Sequence, residues 1–147
     1  MYSSIVVGTD GSQTAGIAVA QAAELAAAIG AKLDIVGAYH PVSKARVQAE
    51  AAEAPEDLQW AVGPTEEVDL TLRTAAEVAA AAGVEARIHA REGDPADAIL
   101  HVAEEQHADV IVVGNKGMTG TKRFLLGSVP NKVTHHATCS VLIVRTT

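Results

Sequence analysis

Val110-Ile111-Val112-Val113-Gly114-Asn115-Lys116-Gly117 is the stretch on which the fold turns. Its first four residues are all β-branched and offer no polar side chain to water. The run is too short for a typical helix, so it reads as a strand buried on both faces, which is the mark of a parallel sheet covered by helices. Ile5-Val6-Val7 reads the same way. Working outward, strands are expected at 4–7, 32–38, 84–90, 110–113 and 140–144. Helical periodicity fills the gaps. Residues 14–29 put Ala18, Ala22, Leu25 and Ile29 on one face, between a Ser12 N-cap and Gly30 just past the end. Residues 65–82 align Val68, Leu72, Ala75 and Ala79 and close at Gly83. Residues 95–107 carry Ile99, Val102 and Ala103 behind Asp94-Pro95-Ala96-Asp97, an aspartate cap with proline at the first helical position. A short helix over 129–136 completes the alternation. Strands alternating with helices give a doubly wound α/β fold, an open five-stranded parallel sheet with helices on both faces and right-handed crossovers. Residues 40–64 interrupt the rhythm with Pro41, Pro55, Gly63, Pro64 and several acids. They are expected to form a mobile excursion with a short helix near 45–54, inside a single domain spanning 1–147.

The 147 residues are 48% hydrophobic, 20% charged and only 3% aromatic, with a net charge of -7. This suits one globular domain whose core is filled by Val, Ile, Leu and Ala. The acidic balance argues against non-specific binding of nucleic-acid polymers or anionic membranes. No apolar run approaches the roughly 18 residues of a membrane span, and the first residues show no export signal, so a cytoplasmic location is expected. A single cysteine, Cys139, excludes an intrachain disulfide. The histidines His40, His89, His101, His107, His135 and His136 form no metal-ligand pattern, and no metal site is expected.

Gly114 follows the buried strand directly, Gly117 comes three residues on, and Gly127-Ser128-Val129-Pro130 comes after nine more. Glycines let backbone amides turn toward an anion without a Cβ in the way. Ser128 is a natural N-cap for the helix beginning near Val129, and the free amides there add partial positive charge. Lys116, Lys122 and Arg123 would lend charge at the rim. Spacing alone leaves two readings, a phosphate cradle or ordinary turns with solvated bases. A second cluster, Val7-Gly8-Thr9-Asp10-Gly11-Ser12, ends the first strand. In a doubly wound sheet the carboxyl ends of the first and fourth strands meet at the switch point, where ligands bind.

From Ile5 to Val144 the chain resembles the universal stress proteins of the nucleotide-binding class. Their phosphate signature is Gly, two residues, Gly, nine residues, then Gly and Ser or Thr, and Gly114, Gly117, Gly127 and Ser128 match it. Leu125-Leu126-Gly127-Ser128-Val129 and Val141-Leu142-Ile143-Val144 are also similar to the family. The resemblance implies a Rossmann-like sheet of order 3-2-1-4-5, akin to the adenine nucleotide alpha hydrolases. It implies that Thr9 and Asp10 border the nucleotide, that Ala38 meets the adenine edge, and that Gly114 lies against the ribose. Gly117, Gly127, Ser128 and Val129 would hold the phosphates, with Asn115 and Lys116 in the two variable positions; Asn115 would reach a ribose or phosphate oxygen or face solvent. Gly37 stands where the family often has histidine; with the small Ala38 it is expected to leave space beside the base and to favour a nucleotide other than ATP, such as AMP or cyclic AMP, or a different base pose.

The resemblance also implies a homodimer through strand 140–144, whose apolar edge a second subunit would cover. Three functions follow. The first is sensing or sequestering an adenine nucleotide (ATP, AMP or cyclic AMP, with Mg²⁺ alongside ATP) in stress response or signalling. The second is a weak Mg²⁺-dependent ATPase or phosphotransferase. The third is a structural or chaperone-like dimer with a vestigial pocket. No carboxylate pair is arranged for acid–base work and Asp10 lacks a partner to position water, so no catalytic residue is assigned and efficient turnover is not expected. The absence of GxGxxG and of a GxxxxGK[ST] loop argues against a dinucleotide or flavin binder.

Overall fold

In the computed structural model, which describes residues 1–40, 65–116 and 126–147, the elements run β1 Ser4–Gly8, α1 Gln13–Ile29, β2 Lys32–Tyr39, α2 Glu66–Ala81, β3 Arg87–Glu92, α3 Pro95–Glu105, β4 Val110–Gly114, α4 Ser128–His136 and β5 Ser140–Val144. All strand pairs are parallel, in the order β3-β2-β1-β4-β5. The expected α/β architecture and strand order are therefore observed. The expected excursion at 40–64, with its helix near 45–54, lies outside the described residues but for residue 40, and Gly117, Lys122 and Arg123 lie outside them too.

Alternation along the central strands decides which helices cover which face. Ile5, Val7, Ile35, Val110 and Val112 pack with α1 and α2. Val6, Val36, Ile111 and Val113 pack with α3 and with Val133 of α4. Each apolar run thus feeds both cores, which is why it carries no polar residue. On α2 the buried residues are Val68, Leu72, Ala75 and Ala79, as the periodicity predicts. On α1 the buried stripe is Ala18, Val19, Ala22, Ala23 and Ala26, with Leu25 half-buried at its margin. Alanines let this helix lie close to the sheet, so its contact face is turned slightly from the one drawn through the larger side chains.

The third strand begins at Arg87 rather than at 84. Gly83 turns back with φ 86°, and the Val84 amide donates to the Ala79 carbonyl at 3.0 Å. Val84 therefore plugs the end of α2, and sheet pairing starts only where Arg87 meets Asp34. Asp34 is fully buried on β2. It accepts from Arg87 Nη2 at 2.9 Å, and its other oxygen lies 2.7 Å from His89 Nε2. The polar side chains of the edge strand thereby satisfy the one buried acid of the sheet among the described residues.

Candidate functional site

The chain winds outward from β1 toward β3 with helices on one face, and from β4 toward β5 with helices on the other. The carboxyl ends of β1 and β4 are consequently neighbours at which the two directions diverge, the place where doubly wound sheets open a crevice for ligands. The candidate nucleotide-site residues that the structure describes lie at or just past the carboxyl ends of β1, β2 and β4 or stand at the start of α4.

On the β1 side, the Thr9 amide donates to the Val36 carbonyl at 2.9 Å, carrying the β1–β2 ladder one residue past the strand. Thr9 Oγ1 accepts from the Gly11 amide at 3.2 Å, and Asp10 Oδ1 accepts from the Ser12 amide at 2.8 Å. Ser12 caps α1 as expected, its Oγ accepting from Ala15 at 3.2 Å. One Asp10 oxygen is thus committed to the turn. Its second oxygen has no partner among the described residues, and the side chain is exposed. Ala38, half-buried, lies two residues beyond Val36 on the α3 face of β2.

Gly37 opens the other way. A Cβ there would lie 2.7 Å from Val68 Cγ2 and 3.3 Å from Leu72 Cδ2. The expectation that Gly37 leaves space beside a base is therefore corrected: α2 already fills that space, because neighbouring residues of a strand face opposite sides. Ala38, on the opposite face, packs with the α3 cluster.

On the β4 side, Gly114 pairs with Val144. The Asn115 amide donates to the Val144 carbonyl at 2.9 Å, and the Asn115 carbonyl accepts the Gly127 amide at 3.0 Å. The N-cap of α4 is Gly127 (φ -61°, ψ 164°), not Ser128. Ser128 is the first helical residue, since the Asn131 amide donates to the Gly127 carbonyl at 3.0 Å. This correction changes the chemistry. No side chain caps α4, its first turn holds no acid, and Pro130 has no N–H to give. Among the described residues nothing accepts from the Ser128 and Val129 amides. The exposed Ser128 hydroxyl is not spent on a cap. By contrast α1 and α3 are capped by Ser12 and Asp94. An uncapped helix start beside the switch point is suited to an anion.

On α4 itself, Lys132 is engaged elsewhere. Lys132 lies 3.3 Å from Asp94 and 2.9 Å from Asp97, at the start of α3. Bonds to Asp97 and Asp94 raise its pKa, while the Asp97 amide above all holds the Asp94 carboxyl below its ordinary value. Lys116 is half-buried at the bend after β4. The Asn115 side chain, half-buried, is tied to the C-terminal stretch: its Oδ1 accepts from the Thr146 amide at 2.8 Å and from the Thr146 hydroxyl at 3.0 Å. Thr146 escaped the reading of the sequence. The signal was available in the register, because a residue two past Val144 must lie near the bend that follows Gly114.

Among the described residues no helix is long and apolar enough to cross a membrane. The profile of the universal stress protein family matches residues 1–145. Universal stress protein Rv1636 of Mycobacterium tuberculosis (strain ATCC 25618 / H37Rv) is 41% identical over 148 residues, covering 99% of this chain and 98% of the relative. A solved universal stress protein in complex with cAMP is 39% identical with a TM-score of 0.75, over 99% of both chains. The universal stress protein from Archaeoglobus fulgidus in complex with dAMP is 27% identical with a TM-score of 0.68, over 98% of both chains.

Proposed function

This chain belongs to the universal stress protein family, and from that premise we propose that it binds an adenine nucleotide, senses or sequesters it, and couples it to stress response or signalling. The observation that carries the reading is the uncapped start of α4, with the Ser128 and Val129 amides and the Ser128 hydroxyl unspent beside the β1–β4 crevice. Solved relatives in complex with cAMP and dAMP support adenine as the base and favour one phosphate over three. Two amides and a hydroxyl match one phosphate group well; a triphosphate would lean further on Gly117 and Lys116 and on Mg²⁺.

In this assignment Thr9 and Asp10 border the ribose, Ala38 meets the adenine edge, and Gly114 lies under the sugar. Gly117, Gly127, Ser128 and Val129 surround the phosphate, and Asn115 and Lys116 form the bend between them. The chain acts as one nucleotide-binding domain over 1–147, in the cytoplasm. It works as a homodimer through β5, where Leu142 and Ile143 are exposed on an edge strand.

The test is calorimetric titration with ATP, ADP, AMP and cyclic AMP, with and without Mg²⁺. Binding of AMP or cyclic AMP without Mg²⁺ is expected. Absence of binding by all four at about 1 mM, a very weak affinity, would remove the proposal. Mg²⁺-dependent turnover lost in Asp10→Ala would replace it with the ATPase reading.

A further inference from the structure

Asn115 stands at a variable position of the glycine signature, yet its polar groups are engaged by two segments distant in sequence, the start of α4 and the C-terminal stretch through Val144 and Thr146. Its amide goes to Val144 of β5 and its carbonyl takes the Gly127 amide ahead of α4. Its side-chain oxygen takes both the amide and the hydroxyl of Thr146. Its side-chain nitrogen faces the Thr147 hydroxyl at 3.5 Å, too long for a strong bond. The same segment fits against Gly114, where a Cβ would lie 3.2 Å from Thr146 Cγ2.

From this knot we infer that Asn115 is a positioning residue for the nucleotide site, with Thr146 as its partner, and that it does not itself hold the phosphate. The inference rests on the nucleotide reading above. The Thr146 bonds fix the direction of the Asn115 side chain and with it the peptide planes of the bend. Those planes aim the Asn115 carbonyl at Gly127. The Gly127 bond in turn sets where α4 begins, and so where the Ser128 and Val129 amides point. An acceptor reaching one turn beyond the backbone is needed at 115, and a hydroxyl is needed at 146. Alanine or valine at these places would loosen the aim of the helix start without removing any group from the phosphate.

The experiment is cyclic AMP and AMP affinity of the full chain by calorimetry, for Asn115→Ala, Thr146→Val, the double variant and Thr146→Ser. Each is checked for folding by circular dichroism at the titration temperature. Loss of two net hydrogen bonds at 115 is expected to weaken binding about tenfold, and loss of one at 146 about threefold. Thr146→Ser, which keeps the hydroxyl, stays within about twofold of wild type, and the double variant within about twofold of Asn115→Ala. A role confined to stability would lower the melting temperature and leave the affinity of the folded protein unmoved, which overturns the inference. A large loss in Asn115→Ala with Thr146→Val silent also overturns it, because Asn115 would then be a direct ligand. If Asn115→Ala does not fold, the contrast between Thr146→Val and Thr146→Ser decides alone, and equal affinities overturn it. A wild-type chain that binds no adenine nucleotide overturns the nucleotide reading itself, and this inference with it.

Discussion

Replacing Gly127 by aspartate separates the stability of α4 from its use as an anion site. Gly127 has φ -61° and ψ 164°, an extended N-cap geometry open to any residue. Aspartate is among the best N-caps, and exchanging it with glycine changes helix stability by only a few tenths of a kcal/mol. Pro130 has no N–H, so the new carboxylate would bond the Val129 amide. On backbone and capping grounds the variant is expected to keep its stability within about 1 kcal/mol of wild type; because Gly127 is itself buried, the urea midpoint is the control that the carboxylate is accommodated before the variant's affinity is read. Its effect on ligand is of another order. Carboxylate and phosphate would compete for the same amides, and would sit about 6 Å apart if both stayed. At an effective dielectric constant of about 20 that repulsion is about 3 kcal/mol, a loss of roughly a hundredfold in affinity for cyclic AMP. Gly127→Ser offers the same capping chemistry without the charge. It withdraws one amide from a charged ligand and is expected to cost about tenfold. The assay is calorimetry at low and high salt, with urea unfolding in parallel. Salt should narrow the deficit of the aspartate variant and leave that of the serine variant. A folded Gly127→Asp protein that binds cyclic AMP within about threefold of wild type would refute the placement of phosphate at α4.

Three further outcomes are expected. Gly37→Ala would press a methyl against Val68 and Leu72, destabilising the fold by about 1–3 kcal/mol and lowering the melting temperature by about 2–4 °C per kcal/mol; Val68→Ala in the same chain should recover much of the loss, and an unchanged urea midpoint in Gly37→Ala alone would contradict the packing. The Ser3 amide and hydroxyl, with the Ser4 amide, hold the Asp109 carboxyl below its ordinary value of 3.8. Because the folded pKa is depressed, that contribution is fully present above the unfolded value and is lost as pH falls from there through the lower folded value, so the stability gap between wild type and Asp109→Asn should close in acid; a gap that persists below the folded value would contradict the linkage. Burial first, and then the Asp109 charge, push the Cys139 thiol above its ordinary value of 9.0; alkylation should be slower than for a free thiol at neutral pH and faster in Asp109→Asn, and a rapid reaction at neutral pH would refute the shift.

Particular elements show why some of the molecule was legible before its structure. The α2 face at Val68, Leu72, Ala75 and Ala79 and the Asp94 cap of α3 are local patterns, and the fold kept them. The start of β3 was less legible, because Val84 is apolar for the sake of the α2 end and not of the sheet. Ser128 looked like a cap because its side chain suits one, but a cap is defined by backbone angles and by which carbonyl Asn131 reaches. Gly37 was read as room for a base although strand alternation sends its open side toward α2.

Period and punctuation along the chain thus determined the α/β order of elements, the buried central strands and the glycine signature, since each depends on residues only a few positions apart. Tertiary structure decided which openings are filled, which amides at α4 remain unspent, and that Asn115 answers to Thr146, 31 residues away. Those outcomes depend on segments that meet only when the sheet is assembled, and no local preference encodes the distance between them.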